Sequence, residues 1–149
     1  MTEYLETTVD KFIFKVATDR LYTSEGLWVM QKVSTARIGV TDFFQQRNGD
    51  IAFINLSGVG KVIARNDEIA SVETIKVNVS LSSPLSGTIA AINPVVVSKP
   101  ETTNQDPYGD GWLCELSAIH WAEESKNLLS PELYFSQMKK DAEEEVKRE

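Results

Sequence analysis

Between Ile69 and Ile89 the sequence reads Ile-Ala-Ser-Val-Glu-Thr-Ile-Lys-Val-Asn-Val-Ser-Leu-Ser-Ser-Pro-Leu-Ser-Gly-Thr-Ile. Two short runs rich in β-branched residues, Glu68–Val72 and Val77–Leu81, flank a single lysine, Lys76. Runs this short form half-buried strands, and a break of a few residues between them folds them into an antiparallel pair. Pro84 and Gly87 close the second run. Lys76 then falls at the apex of a hairpin, between the apolar residues Ile75 and Val77. A lysine in that position is exposed and accessible to a modifying enzyme.

The same strand signature recurs along the chain. Lys11–Ala17 alternates and places Phe12, Phe14 and Val16 on one face. Leu27–Gln31 and Thr35–Val40 read as a hairpin around Lys32-Val-Ser34, and Asp50–Leu56, Gly87–Ile92 and Trp112–Leu116 read as further strands. Between them, Thr41 or Asp42 can cap a helical turn that Gly49 ends. Residues 98–111 are turn-rich and read as a long surface loop. Short strands with turns every ~8–12 residues imply a sandwich or flattened barrel. The fold class is mainly β, of the α+β kind.

Helical periodicity takes over at the end. Ser117 can cap a helix through Ala118–Leu128, and Ser130-Pro-Glu is a start signal for another. In that second helix Tyr134, Met138, Ala142 and Val146 recur every four residues as a narrow apolar stripe. The charged stretch 141–149 reads as a fraying end. Residues 1–10 read as a loose terminus. The implied organisation is an N-terminal extension over 1–17 and a single unit over 18–149, its C-terminal helices spanning about 117–149.

A chain of 149 residues, 42% hydrophobic and 25% charged, can build one real core. Its net charge of −7 disfavours nucleic acid and anionic membranes, which need basic patches, and suits a basic groove on a protein partner. The acidic N-terminus has no apolar core of a signal peptide, and no apolar run approaches the ~18 residues of a membrane span. The expectation is a cytoplasmic monomer without membrane contact.

Several chemistries find little support. The lone Cys114 lies in a strand-like run and reads as a small buried apolar group. The lone His120 excludes a His-rich metal site and reads as a surface or helix-packing residue. Asp106, Asp110, Glu123 and Glu124 read as solvated acidic positions without a calcium-loop pattern. Trp28 and Trp112 read as core. Ser57-Gly-Val-Gly-Lys-Val62 imitates a phosphate loop but has Asn55 where the first glycine belongs and Val62 where a hydroxyl belongs.

Four blocks carry a resemblance to a known family. Glu73-Thr-Ile-Lys76 resembles the Glu-Ser-Val-Lys lipoylation motif of glycine cleavage system H proteins, and Ser83-Pro-Leu-Ser-Gly87 resembles the Ser-Pro-Val-Ser-Gly that follows it. Ile38–Phe43 with Gly49–Phe53 resembles Val-Gly-Ile-Thr-Asp-Tyr and Gly-Asp-Ile-Val-Phe. Asn104–Leu113 resembles Asn-Glu-Asp-Pro-Tyr-Gly-Glu-Gly-Trp-Leu. The likeness covers roughly residues 20–140.

The resemblance implies a lipoyl/biotinyl-type sandwich of antiparallel sheets, a carrier rather than an enzyme, with lipoate in amide linkage to Lys76. Biotinyl domains flank their lysine with Met, so Ile75 and Val77 favour lipoate. Glu73 and Gly87 would serve ligase recognition and hairpin geometry. The implied partners are a lipoate ligase or transferase, then glycine decarboxylase, an aminomethyltransferase and dihydrolipoamide dehydrogenase.

The family's arm cleft holds an ammonium through a Ser-His-Glu-Trp stretch and an Asp after the lysine. Here the corresponding residues are Glu25, Gly26, Leu27 and Ser80, so the polar cradle is thinned. A desolvated ammonium needs a charge partner. That departure raises a second reading: an H-protein-like lipoate-binding protein that carries sulfur intermediates to a heterodisulfide-reductase-like complex. An unmodified interaction protein of the same fold is the third.

Overall fold

The computed structural model describes residues 2–148. The first element corrects the sequence reading. Instead of a loose terminus, β1 (Tyr4–Val9) pairs antiparallel with β2 (Phe12–Ala17), with Val9 opposite Phe12 and Tyr4 opposite Ala17. Asp10 makes the turn at φ +58, a region that Asp tolerates better than most residues. The period-two signal was present in Leu5, Thr7 and Val9, which form the less exposed face of β1. Lys15 holds this hairpin to the body: its N–H donates to Asp42 (3.0 Å) and its carbonyl accepts the Tyr108 hydroxyl (2.8 Å).

Two sheets form the body. One has six strands in the order β3-β4-β5-β11-β10-β7: Leu21–Tyr22, Leu27–Gln31, Thr35–Val40, Cys114–Ser117, Gly87–Ile92 and Val62–Ile63. The other has three, in the order β6-β8-β9: Ile51–Leu56, Glu68–Thr74 and Asn78–Ser82. Every pairing is antiparallel. Val29, Ile38, Val40 and Leu116 from the first sheet meet Ile54, Ile69, Val72 and Leu81 from the second in one buried cluster.

A second cluster lies outside the sandwich. Here the N-terminal hairpin, through Val9, Phe14 and Val16, meets Tyr22, Trp28, Phe43 and the apolar stripe of the last helix. Trp28 is completely buried, and its cross-strand partner is Gly39. A Cβ at Gly39 would lie 2.4 Å from the Trp28 ring, so only glycine leaves the indole room. The Trp28 Nε1–H donates to the Pro107 carbonyl (2.9 Å), and the Arg20 guanidinium covers the indole face at 4.5 Å.

Helix α1 (Asp42–Asn48) starts as expected: Thr41 Oγ1 accepts the Phe44 N–H, and Gly49 ends it at φ +85. The stretch 98–111 is not a plain surface loop. Helices α2 (Pro94–Ser98) and α3 (Glu101–Gln105) occupy part of it, and Thr103 and Tyr108 are buried. The last strand begins at Cys114 rather than Trp112, and half-buried Trp112 stacks under Arg37 (4.2 Å). Cys114 is buried, and burial pushes its thiol up to about 12.

The helix expected over 118–128 shrinks to α4 (Trp121–Glu124) and a 3-10 turn over Ser125–Asn127. Ser117 stays in β11 and Ala118 takes φ +54, so His120 rather than Ser117 precedes the helix, without capping it by its side chain. Helix α5 (Pro131–Arg148) begins at the expected Ser130-Pro-Glu, and Ser130 Oγ accepts the Leu133 N–H. It continues through the charged stretch to Arg148 instead of fraying, and Tyr134, Met138 and Ala142 are buried. Among the described residues no helix is long and apolar enough to cross a membrane.

Candidate functional site: the Lys76 hairpin and two clefts

β8 and β9 pair from Glu68 opposite Ser82 to Glu73 opposite Asn78. The Thr74 N–H then donates to the Val77 carbonyl (2.9 Å), leaving Ile75 and Lys76 as the two residues of the tip. Thr74 Oγ1 accepts the N–H groups of both Lys76 and Val77 at 3.1 Å. A hydroxyl that satisfies two backbone donors fixes a turn without glycine. None of residues 74–77 has a positive φ. Thr74 was not among the residues singled out from sequence, although a Thr two before an apical residue is the signal for such a turn.

Lys76 is exposed, and no ion pair holds it among the described residues. Ile75 is 79% exposed beside it, so the tip shows apolar surface to a partner. The lysine leans toward the end of α1. A Cβ built on Gly49 would lie 3.6 Å from Lys76 Cε, in ordinary contact with the aliphatic stem.

Glu73 sits half-buried in β8, opposite Phe53 and Asn78, three residues before the lysine as the sequence indicates. Gly87 does not shape the hairpin. It lies in β10 of the other sheet, where a Cβ would come within 2.6 Å of the Ser117 carbonyl oxygen. Its glycine answers a backbone approach between β10 and β11.

Two clefts open beside α1. The first, about 260 Å³, is bounded by Glu25, Gly26, Arg47, Val79, Tyr134 and Asp141, among others. Of the four residues expected to form the arm cleft, Glu25 and Gly26 line it and Leu27 and Ser80 do not. Leu27 is completely buried between the sheets. Alternation along β9 turns Val79 into the cleft, while the Ser80 hydroxyl turns away to Glu68. Gly26 has φ +96, so the turn after Thr23 rather than the cleft's chemistry requires glycine there.

The cleft also has charges that the motif comparison missed. Asp141, on α5 one turn beyond Gln137, lines it together with Glu25 and Arg47. The Tyr134 hydroxyl is bonded to Thr41 Oγ1 (2.8 Å), and burial raises its phenol well above the usual range, so it stays neutral. The signal for Asp141 was available, because it follows Met138 at the i+3 spacing that brings helix positions onto one face.

The second cleft, about 190 Å³, has Lys76 in its wall. The N-terminal hairpin and the last turns of α5 form its other sides, and Phe43 and Arg47 are shared with the first cleft. Arg47 pairs with Glu145 and lies over the Phe43 ring at 5.6 Å, so it divides the two.

Two of the acidic candidates have structural roles, while His120 and Glu123 are exposed. Asp106 accepts the Asp110 N–H (2.8 Å), and Glu124 accepts the N–H and hydroxyl of Ser86 (both 2.9 Å). No cluster of three or more potential metal ligands occurs among the described residues.

A sandwich of antiparallel sheets that presents one exposed lysine on a hairpin tip, with helices appended, is a lipoyl/biotinyl-type fold. Comparisons with known proteins narrow the class. The family model described as "Glycine cleavage H-protein" matches residues 20–141. A probable glycine cleavage system H protein 1 of Saccharolobus solfataricus is 39% identical over 127 residues, covering 85% of this chain and 93% of that one. A glycine cleavage system H protein of Carboxydothermus hydrogenoformans is 38% identical over 128 residues, covering 86% and 98%. The crystal structure of a glycine cleavage system H protein from Mycobacterium marinum matches with a TM-score of 0.73 at 30% identity, covering 80% of this chain and 96% of that one. The chain belongs to the glycine cleavage H-protein family.

Proposed function

We propose that this protein is a lipoyl carrier of the glycine cleavage system, with lipoate in amide linkage to Lys76. The observation that carries the reading is the exposed, unpaired Lys76 on a turn held by Thr74, three residues after Glu73. An amide with Lys76 removes a cation that no described carboxylate compensates, so attachment strands no partner charge. The lipoyl disulfide supplies, when bound, a site that opens to take up a one-carbon amine.

The chain's own residues then position that amine. Glu25 and Asp141 line the 260 Å³ cleft and provide opposite charges for an ammonium. Tyr134 and Thr41 keep the cleft floor neutral and hydrogen-bonded. A tethered arm gives each enzyme a high local concentration of one carried group. The partners are a lipoate ligase or transferase, the decarboxylating enzyme, the folate-dependent transferase and the flavoprotein that reoxidises the arm.

Arg47 favours a second reading. Its guanidinium lines both clefts and would attract an anionic sulfur intermediate of a heterodisulfide-reductase-like system. Two carboxylates at the first cleft, against that one guanidinium already paired with Glu145, make the amine the better fit.

Co-expression with a lipoate ligase tests attachment: one lipoyl mass should appear on the intact protein and vanish in Lys76→Ala. The lipoylated protein should then support ¹⁴C-bicarbonate exchange with glycine decarboxylase. Exchange at the background level, with lipoylation complete, would favour the sulfur carrier.

A further inference from the structure

Six of the ten residues that line the second cleft, Glu145 among them, lie outside the family match. The match covers 20–141, whereas Val9, Phe12 and Phe14 come from the N-terminal hairpin and Ala142 and Val146 from the last turns of α5. Phe43 completes its floor. The side chain of Lys76 is itself part of the wall. The groove therefore begins where the arm would begin.

We propose that this groove is a resting site for the oxidised lipoyl arm, separate from the charged cleft on the other side of Arg47. The proposal rests on Lys76 as the attachment site. Three features identify the occupant. The lining sets Val9, Ala142, Val146 and three phenyl rings beside the polar Gln46, Arg47 and Glu145, and sulfur packs favourably against ring edges. A cavity of about 150 Å³ accepts benzene, so 190 Å³ suits a five-membered dithiolane ring, while a whole drug-sized ligand needs roughly 300 Å³ or more. Phe12 is 49% exposed beside the Phe14 ring, their centroids 6.5 Å apart, and an arm lying along the hairpin would cover it.

The chemistry also separates the arm's states. The closed disulfide is neutral and apolar and fits the phenyl-lined groove. An arm that bears an ammonium would lose water there without gaining a carboxylate in the apolar part, since Glu145 is engaged by Arg47 at the boundary. The charged arm belongs with Glu25 and Asp141 instead. Arg47 and Phe43 thus divide a phenyl-rich site, whose one carboxylate is paired, from one lined by Glu25 and Asp141, both within reach of the same lysine.

The test uses full-length protein lipoylated at Lys76, with the modification verified by intact mass. Amide chemical shifts are compared between unmodified and lipoylated oxidised protein, and the arm's reduction by a water-soluble phosphine is timed against free lipoamide. The expected result is shift changes at Val9, Phe12, Phe14, Ala142 and Val146, and reduction at least threefold slower than for lipoamide. Phe12→Asp, at an exposed position, should restore the lipoamide rate and erase the shifts at α5. Changes confined to residues 74–77, or centred on Glu25 and Tyr134, with a rate equal to lipoamide's, would overturn the proposal. Absence of lipoyl mass would overturn the attachment reading, and the resting site with it.

Discussion

The hydroxyl of Thr74 accepts the backbone N–H of Lys76 at 3.1 Å, and the N–H of Val77 at the same distance. The apical lysine is therefore presented by a turn whose rigidity comes from one side chain. Thr74→Val keeps the shape and the strand preference but deletes the acceptor. Three exposed hydrogen bonds are lost, the third donated by the hydroxyl to the Val77 carbonyl, so stability should fall by about 1 kcal/mol. Lipoylation should slow several-fold more than that loss explains, because the ligase meets a mobile tip. Urea unfolding and a timed intact-mass series check the two effects separately. Unchanged lipoylation kinetics would show that the turn does not need Thr74.

Lys76→Arg should abolish lipoylation and leave stability within about 0.5 kcal/mol of the parent, as for an exposed substitution with no partner to lose. Mass spectrometry and the urea midpoint suffice. A lipoyl mass surviving in this variant would place the attachment on another lysine.

Glu25 and Asp141 line the cleft from opposite elements, one before β4 and one on α5. Both are partly open to solvent, so each should contribute modestly to holding an ammonium, about 0.4–1 kcal/mol. Glu25→Gln and Asp141→Asn should each reduce exchange with glycine decarboxylase roughly two- to fivefold. The effect should shrink as salt rises and the charges are screened. Equal activity of both variants at low salt would remove the cleft from amine retention.

At Gly39 the substitution to Ala forces a methyl to within 2.4 Å of an indole that has no free space to enter. A cost of about 3 kcal/mol is expected, at the upper end for overpacking. Gly39→Ala with Trp28→Phe should recover part of it, and the double-mutant cycle measures the coupling.

The Cys114 thiol, raised by burial from 9.0 to about 12, gives a pH prediction. In the unfolded chain the thiol loses its proton near its ordinary value, while in the folded protein it keeps it until about pH 12. The unfolded state thus binds fewer protons across that window, and stability falls as pH rises from about 9. Below that window Cys114 contributes nothing to the pH dependence. Cys114→Ser should reduce the slope of the alkaline limb just above pH 9, below the range where the buried Tyr22, Tyr108 and Tyr134, also raised by burial, dominate, and iodoacetamide should leave the native thiol unmodified at pH 8.

The lysine hairpin, the strands of the sandwich, the Thr41 cap and the start of α5 were legible because each depends on local signals: alternation, a capping hydroxyl, a proline in the first turn. The N-terminal hairpin was misread because acidic and hydroxyl residues at Glu6, Thr7 and Thr8 dilute its alternation, and its stability comes from Tyr108, Asp42 and α5, far away in sequence. Likewise the helix after Ser117 fails because β11 retains Ser117 for pairing with Thr88 and Thr35. At the site, motif comparison picked out the lysine that stands on the hairpin tip, but only two of its four expected cleft residues line the first cleft. Leu27 and Ser80 are adjacent in sequence to cleft residues, but the alternation of their strands turns them elsewhere. Asp141 and Arg47 enter from helices that no hairpin motif includes.

The packing of β1 and β2 against α5 imposes an order on folding during synthesis. The three-stranded sheet that carries the Lys76 tip is complete by Ser82 and the sandwich by Ser117, whereas the hairpin at the start of the sequence finds its partner helix only when residues near 140 emerge. Until then Val9, Phe14 and Val16 lack the helix that completes their cover, and a ligase acting on the nascent chain would meet Lys76 with one wall of its second cleft still missing.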